Sequence, residues 1–206
     1  MPFGDAVRSE AALRDLFPEP TPNSIRKQID RLDGYCHELI AASPIVFIAT
    51  SAADGTCDVS PKGGPPGWVL PLDERRLLIP EGKGNNRLDS MANLLSNPRI
   101  GLLFVIPGRN ETLRVNGQAT ITTDPELLAQ VPLRGRVPPV AIGVEADEVF
   151  THCGKAFIRS ELWDPETWPE KESLSSPAEV LRAHTGTAKV ADVQAALDES
   201  YSQRLW

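Results

Sequence analysis

Two kinds of periodicity divide the chain. Between residues 45 and 150, apolar residues come in short runs or at alternate positions, and turn residues separate the runs. That is the spacing of β-strands. Ile45-Val46-Phe47-Ile48-Ala49-Thr50 is continuously apolar and predicts a strand buried on both faces. Ala53-Asp54-Gly55-Thr56 carries an Asp-Gly pair and predicts a hairpin turn into a second strand over 57–61. Residues 68–72 and 76–80 flank an Asp73-Glu74 turn and predict another hairpin. Three longer strands follow over 99–106, 111–122 and within 137–150, the last broken at Gly143. In the second of these, Leu113, Val115 and Ala119 share one face, and Arg114 and Asn116 the other.

Helical spacing appears at the margins and between the hairpins. Ile25, Ile29, Leu32, Tyr35, Cys36, Leu39 and Ile40 predict a helix over 25–42, capped by Asn23 or Ser24 and stopped at Ser43-Pro44. Residues 87–96 predict a second, capped by Asn85 or Asn86, with Leu88, Met91, Leu94 and Leu95 as its inner stripe. Asp124 and Pro125 open a short helix running to Gln130. Residues 153–163 read as a helix with Lys155 and Arg159 on one face. Beyond Asp164 the chain is polar and Pro-rich, with helices over 177–184 and 190–204. Three prolines fall in the five residues 18–22, which excludes a helix interior or a central strand there.

The pattern predicts an arm (1–22), one domain (23–163) and a C-terminal helical extension (164–206). The fold class is mainly β (α+β): a six-to-seven-stranded antiparallel barrel with flanking helices.

Composition narrows the partners. The 206 residues carry a formal charge of −7, which disfavours a general nucleic-acid or anionic-membrane surface. No apolar run approaches the roughly 20 residues of a membrane span. The charged N-terminus lacks a signal-peptide core, so a soluble cytoplasmic protein is expected. Cys36, Cys57 and Cys153 are odd in number and scattered, and with the histidines they make no zinc spacing. Neither GxGxxG after a strand nor GxxxxGK[ST] occurs, so the usual parallel-sheet nucleotide sites are not expected.

The candidate chemistry lies in two stretches. Cys57-Asp58-Val59-Ser60-Pro61-Lys62-Gly63-Gly64 and Ile79-Pro80-Glu81-Gly82-Lys83-Gly84-Asn85-Asn86-Arg87-Leu88-Asp89 each set a cation, Lys62 or Arg87, among small residues at the end of an apolar run. Positive charge, accessible backbone N–H groups and little side-chain bulk suit a phosphate-bearing ligand. Taken alone, Lys62 also reads as a solvated strand end, and Arg87 as the partner of Asp89.

Asp54-Gly-Thr-Cys-Asp-Val-Ser-Pro-Lys-Gly-Gly-Pro-Pro-Gly67, the stretch Ile79 to Asp89 and Pro107-Gly-Arg-Asn-Glu-Thr-Leu-Arg-Val-Asn-Gly117 stand in an order and spacing that resembles the pyridoxamine 5′-phosphate oxidase-like family of FMN-binding split barrels. The likeness covers roughly residues 30–163. It implies a split barrel, FMN as cofactor, a homodimer with the cofactor between the chains, and flavin-dependent oxidoreduction of a small molecule. NADH or NADPH would be a possible donor. It further implies that Lys62 and Arg87 hold the phosphate with Asn86 and Leu88 beside them, and that Val59, Ser60, Ile79 and Pro80 lie along the flavin. Thr112, with Glu111, would reach the flavin from the second subunit. Arg114 either contacts flavin or braces the barrel through Glu111. Lys155 either lines the flavin mouth or belongs to a solvated face. Cys153 would stand next to that mouth, His152 reads as a loop residue rather than a proton donor, and Trp163 either packs at the dimer interface or stacks near the cofactor. The arginine- and tryptophan-rich C-terminal segment that holds pyridoxal phosphate in the true oxidases has no match here, so vitamin B6 oxidation is not expected. A flavin-binding module without turnover, or the same barrel carrying the deazaflavin F420 or heme, are the competing readings.

Overall fold

The computed structural model describes residues 4–82, 84–186 and 189–203. Seven strands form one antiparallel sheet: β1 (Ile45–Ser51), β2 (Cys57–Gly63), β3 (Leu70–Pro71), β4 (Arg76–Pro80), β5 (Arg99–Val105), β6 (Thr112–Thr122) and β7 (Ala141–His152). Their spatial order is β2-β1-β5-β6-β7-β4-β3. The hairpin turns seen in the sequence connect β1 to β2 and β3 to β4. The sheet curls into a split barrel around a core that includes Val46, Ile48, Leu77, Ile79, Leu102, Phe104, Leu113, Val115, Ile142 and Val149. Each such side chain contributes about 1.5–3 kcal/mol by leaving water.

β1 is not buried on both faces. Val46, Ile48 and Thr50 point inward, whereas Phe47 and Ala49 are exposed. The outer face of this strand is apolar and uncovered within the single chain. β7 is not broken at Gly143 either: it runs twelve residues without interruption. The irregularity falls instead at Asp147, the unpaired β7 residue of a β-bulge where the register shifts between Asn116 and Gly117 of β6.

The predicted helix over 25–42 is two helices, α2 (Pro22–Arg26) and α3 (Gly34–Ala42), following a short α1 (Glu10–Arg14) in the arm. Thr21 caps α2 and Asp33 caps α3, rather than Asn23 or Ser24. Between the helices the chain lies along β7: Ile29 and Val149 exchange both backbone hydrogen bonds, at 2.9 and 2.8 Å. Leu32 N–H donates to the Glu74 carbonyl at 2.6 Å.

α4 (Asp89–Ser96) packs on β1, β2 and β6. It starts two residues later than expected, and no side chain caps it. Its inner face is Ser90, Met91 and Leu94; Leu88 and Leu95 are exposed, so the expected stripe is displaced. α5 (Pro125–Leu128) is capped by Asp124 as expected. The helix expected over 153–163 is one short turn, α6 (Lys155–Arg159). In the C-terminal segment α7 (Pro177–Thr185) opens with a Ser176–Glu179 capping box and packs against α8 (Val190–Gln203). The expected end of that last helix at 204 lies outside the described residues, as does Lys83.

Among the described residues no helix is long and apolar enough to cross a membrane.

Candidate functional site

β2 is a border strand of the sheet, paired on one side only with β1. Alternation along it sends Asp58, Ser60 and Lys62 to the half-buried side, while Val59 faces out at 66% exposure. Toward the other end of the sheet, β4, one strand in from the border strand β3, passes into the loop that carries Glu81 to Leu88 and then into α4. The end of β2 and the end of β4 meet here. Lys62 Nζ donates to Glu81 Oε1 at 2.7 Å, with the two side chains 23% and 14% exposed. Glu81 Oε2 is buried and has no hydrogen-bond partner among the described residues.

A cavity of about 120 Å³ opens beside this pair. Of the residues named from the sequence, Ser60, Lys62, Asn86, Arg87 and Leu88 line it together. Asn86 and Leu88 hold left-handed backbone angles, φ 59° and 60°, which fold the loop tightly onto the start of α4. Asn85 accepts the Arg87 backbone N–H at 3.0 Å and so acts on the loop rather than as a helix cap. Arg87 donates through Nε to Asp89 Oδ2 at 2.7 Å and is largely exposed. That hydrogen bond, with the carboxylate's charge, holds the guanidinium protonated even more firmly than usual. Ser60 and Ser90 both donate to Asp58, Ser90 at 2.6 Å. Their hydroxyl protons are thereby committed, and their lone pairs are what they offer the cavity.

The donor set suits an anion. Lys62 spends one of three N–H groups on Glu81, and Arg87 pairs through Nε, leaving its terminal nitrogens for a bidentate contact. The positive end of α4 adds to them. Against this stand the carboxylates Glu81 and Asp89 in the lining, with Asp58 behind the two serines.

A broad trough runs along the outer face of the sheet beside Asp58 and Val59. Two contiguous depressions, of about 620 and 380 Å³, share Ala49, Val59, Gly101 and Asn116. Ala49 and Gly101 are register partners on β1 and β5. A Cβ added at Gly101 would meet Asn116 Oδ1 at 3.3 Å, so the floor is low because glycine stands there. Phe47, Val59 and Leu103 give apolar relief, and Arg114, Asn116 and His152 the polar side.

Other named residues are placed differently. Ile79 and Pro80 are buried, so only the backbone of β4 is available to a ligand there. Thr112 is also buried, at the head of β6 opposite His152. Glu111 pairs with Arg109 at 3.7 Å, not with Arg114. Arg114 reaches Asn116 at 3.2 Å and Glu148 at 3.6 Å, and its guanidinium lies 5.2 Å from the Phe150 ring centre. The brace expected from Glu111 is therefore supplied by the next strand. Lys155 is exposed on α6, one residue beyond Gly154, whose added Cβ would collide with Asn110. Trp163 donates to the Arg109 carbonyl at 3.0 Å and stacks on Phe157. Burial, then the charges of Arg114 and Lys27, depress the His152 pKa below its ordinary value.

Glu81 went unassigned in the sequence reading. Its signal was its place directly after a buried strand ending in Pro80, where a charge must find a partner.

An antiparallel split barrel carries here a small cavity lined by two cations and two carboxylates, with a flat apolar trough beside it. The chain belongs to the pyridoxamine 5′-phosphate oxidase family, the flavin-binding split barrels, and the family model matches residues 32–153. Among solved structures it is similar to HupZ of Group A Streptococcus, at 22% identity over 58% of this chain and 92% of that one, TM-score 0.47. An FMN-binding protein from Syntrophomonas wolfei is 8% identical over 57% and 83%, TM-score 0.47. A FAD-binding protein from Mesorhizobium loti is 17% identical over 59% and 94%, TM-score 0.41. No curated protein matches the chain.

Proposed function

We propose that this protein is a homodimeric, FMN-dependent oxidoreductase acting on a small-molecule substrate, with NADH or NADPH as electron donor. One observation carries the reading: Lys62 of β2 and Arg87 of the loop after β4 line one cavity at the start of α4, within a matched flavin-binding family. A phosphate monoester carries about 1.5 to 2 negative charges at neutral pH and needs two such cations. The adjoining trough supplies a low floor at Ala49 and Gly101 for a planar ring, with Val59 at its edge. A second copy laid over Phe47, Val59 and Leu103 would exclude water from the ring and remove exposed apolar surface.

When bound, the flavin supplies the hydride chemistry. The chain's own tasks are binding and positioning. Lys62 and Arg87 fix the phosphate, Asn86 and Leu88 shape the loop around it, and Arg114 and His152 set the polarity of the trough.

The test is the visible spectrum of the purified protein, followed by titration with FMN. Flavin absorbance and a dimer by light scattering are expected. Colourless protein that also refuses added FMN would sink the proposal, a Soret band would indicate heme, and F420 binding would move it to the deazaflavin. Flavin-bound protein that oxidises neither NADH nor NADPH with any acceptor would be a binding module instead.

A further inference from the structure

Glu81 lines the cavity yet has no part in the function proposed above, and its surroundings are unusual for a carboxylate. One oxygen accepts from Lys62 at 2.7 Å; the other is buried without a partner among the described residues. The contrast with the second cation is sharp. Arg87 and Asp89 are 71% and 43% exposed, so water and salt screen that pair. Lys62 and Glu81, at 23% and 14%, are screened far less.

We propose that Glu81 is a specificity-determining residue. It competes with a ligand's phosphate for the Lys62 ammonium, and so sets how strongly the site prefers a phosphorylated ligand over its unphosphorylated counterpart. The inference rests on the proposed function, because it takes the cavity to receive a phosphate.

The physical case is electrostatic. A phosphate bonded to Lys62 must come within about 2.9 Å of its nitrogen, and therefore close to Glu81. Among the described residues no donor bonds to Oε2, and the site is partly shut off from water, so like-charge repulsion acts at short range in a reduced dielectric. Asp58 deepens the effect, since it holds the protons of Ser60 and Ser90 away from the cavity. Lys62 thus offers an incoming phosphate only the part of its charge that Glu81 leaves.

The experiment compares FMN with riboflavin, which differ by the phosphate, using quenching of flavin fluorescence. In Glu81→Gln the amide oxygen can still accept from Lys62, so the ammonium keeps its place while the negative charge is lost. The expected result is FMN binding about tenfold tighter, with riboflavin unchanged. Equal or weaker FMN binding would overturn the proposal. A merely structural role would move both ligands together, which would also overturn it. Glu81→Asp, which withdraws the carboxylate by one methylene, should tighten FMN by a smaller factor and serves if the glutamine variant does not fold. Lys62→Met should lose more FMN affinity in the Glu81→Gln background than in the wild type; additive losses would refute the competition. Wild-type protein that binds neither flavin would refute the proposed function and this inference with it. Wild-type protein that prefers FMN, with the preference unaltered in Glu81→Gln, would refute only the inference.

Discussion

Gly117 should be the least replaceable glycine of the sheet. It sits at the bulge where β6 crosses β7, under the trough. A Cβ placed on it would stand 1.9 Å from the Glu145 carbonyl oxygen, 2.9 Å from its carbon and 3.2 Å from Ala146 Cα. Ordinary contact begins near 3.4 Å, so the β7 backbone must retreat by more than 1 Å. No side chain is available to swing aside, because the obstructing atoms are all main chain. Overpacking a core with a flexible neighbour costs about 1–3 kcal/mol. Parting two hydrogen-bonded strands belongs at or above the top of that range, so Gly117→Ala should cost about 3 kcal/mol or more. For a chain of this size that lowers the melting temperature by about 6–12 °C. Gly143→Ala is the internal control. Its Cβ would meet Thr120 O at 3.7 Å and Leu78 Cδ1 at 4.0 Å, both ordinary contacts, and its strand is continuous. That variant should melt within a degree or two of the parent, or slightly above it because its unfolded chain has less freedom. Thermal melts followed by circular dichroism of the sheet would decide. Equal losses in the two variants, or a Gly117→Ala protein as stable as the parent, would refute the reasoning.

Three further outcomes are expected. Lys62→Met strands Glu81 without its cation and should cost about 1–3 kcal/mol of stability, less than a fully buried pair would, whereas Arg87→Ala should leave the urea midpoint unmoved. His152 should titrate below the ordinary histidine range by NMR, and Arg114→Gln should raise its midpoint; the folded state then takes up fewer protons than the unfolded one, so His152 makes stability fall as pH drops below about 6.5. A wild-type midpoint above that value would contradict the placement. Cys36 is buried, and burial with the Asp33 hydrogen bond pushes its thiol up to about 11, so a thiol reagent at neutral pH should label exposed Cys57 and Cys153 and leave Cys36 intact until the protein unfolds.

The strands were legible because their signals are local: alternation, apolar runs and turn residues. Helix boundaries were less so, because tertiary contacts decided them. Residues 27–33 keep helical spacing, yet Ile29 bonds to Val149, far along the chain, and that pairing outweighs the propensity of a short helix. Leu88 lies off the inner stripe because its left-handed conformation places it before α4, which begins at Asp89. β1 was read as doubly buried from its composition; its outer face is apolar and exposed, a distinction that composition cannot make. At the cavity, both cations could be named from their neighbours in sequence. Glu81's role could not, because its partner lies nineteen residues away on β2. The link from Arg114 to Glu148 escaped for the same reason.

The sheet is a ribbon rolled until its border strand β2 reaches the end of β4, and Lys62 with Glu81 is an ionic stitch between them. An anion that draws Lys62 away from Glu81 unpicks the one side-chain stitch that ties those two strand ends together among the described residues.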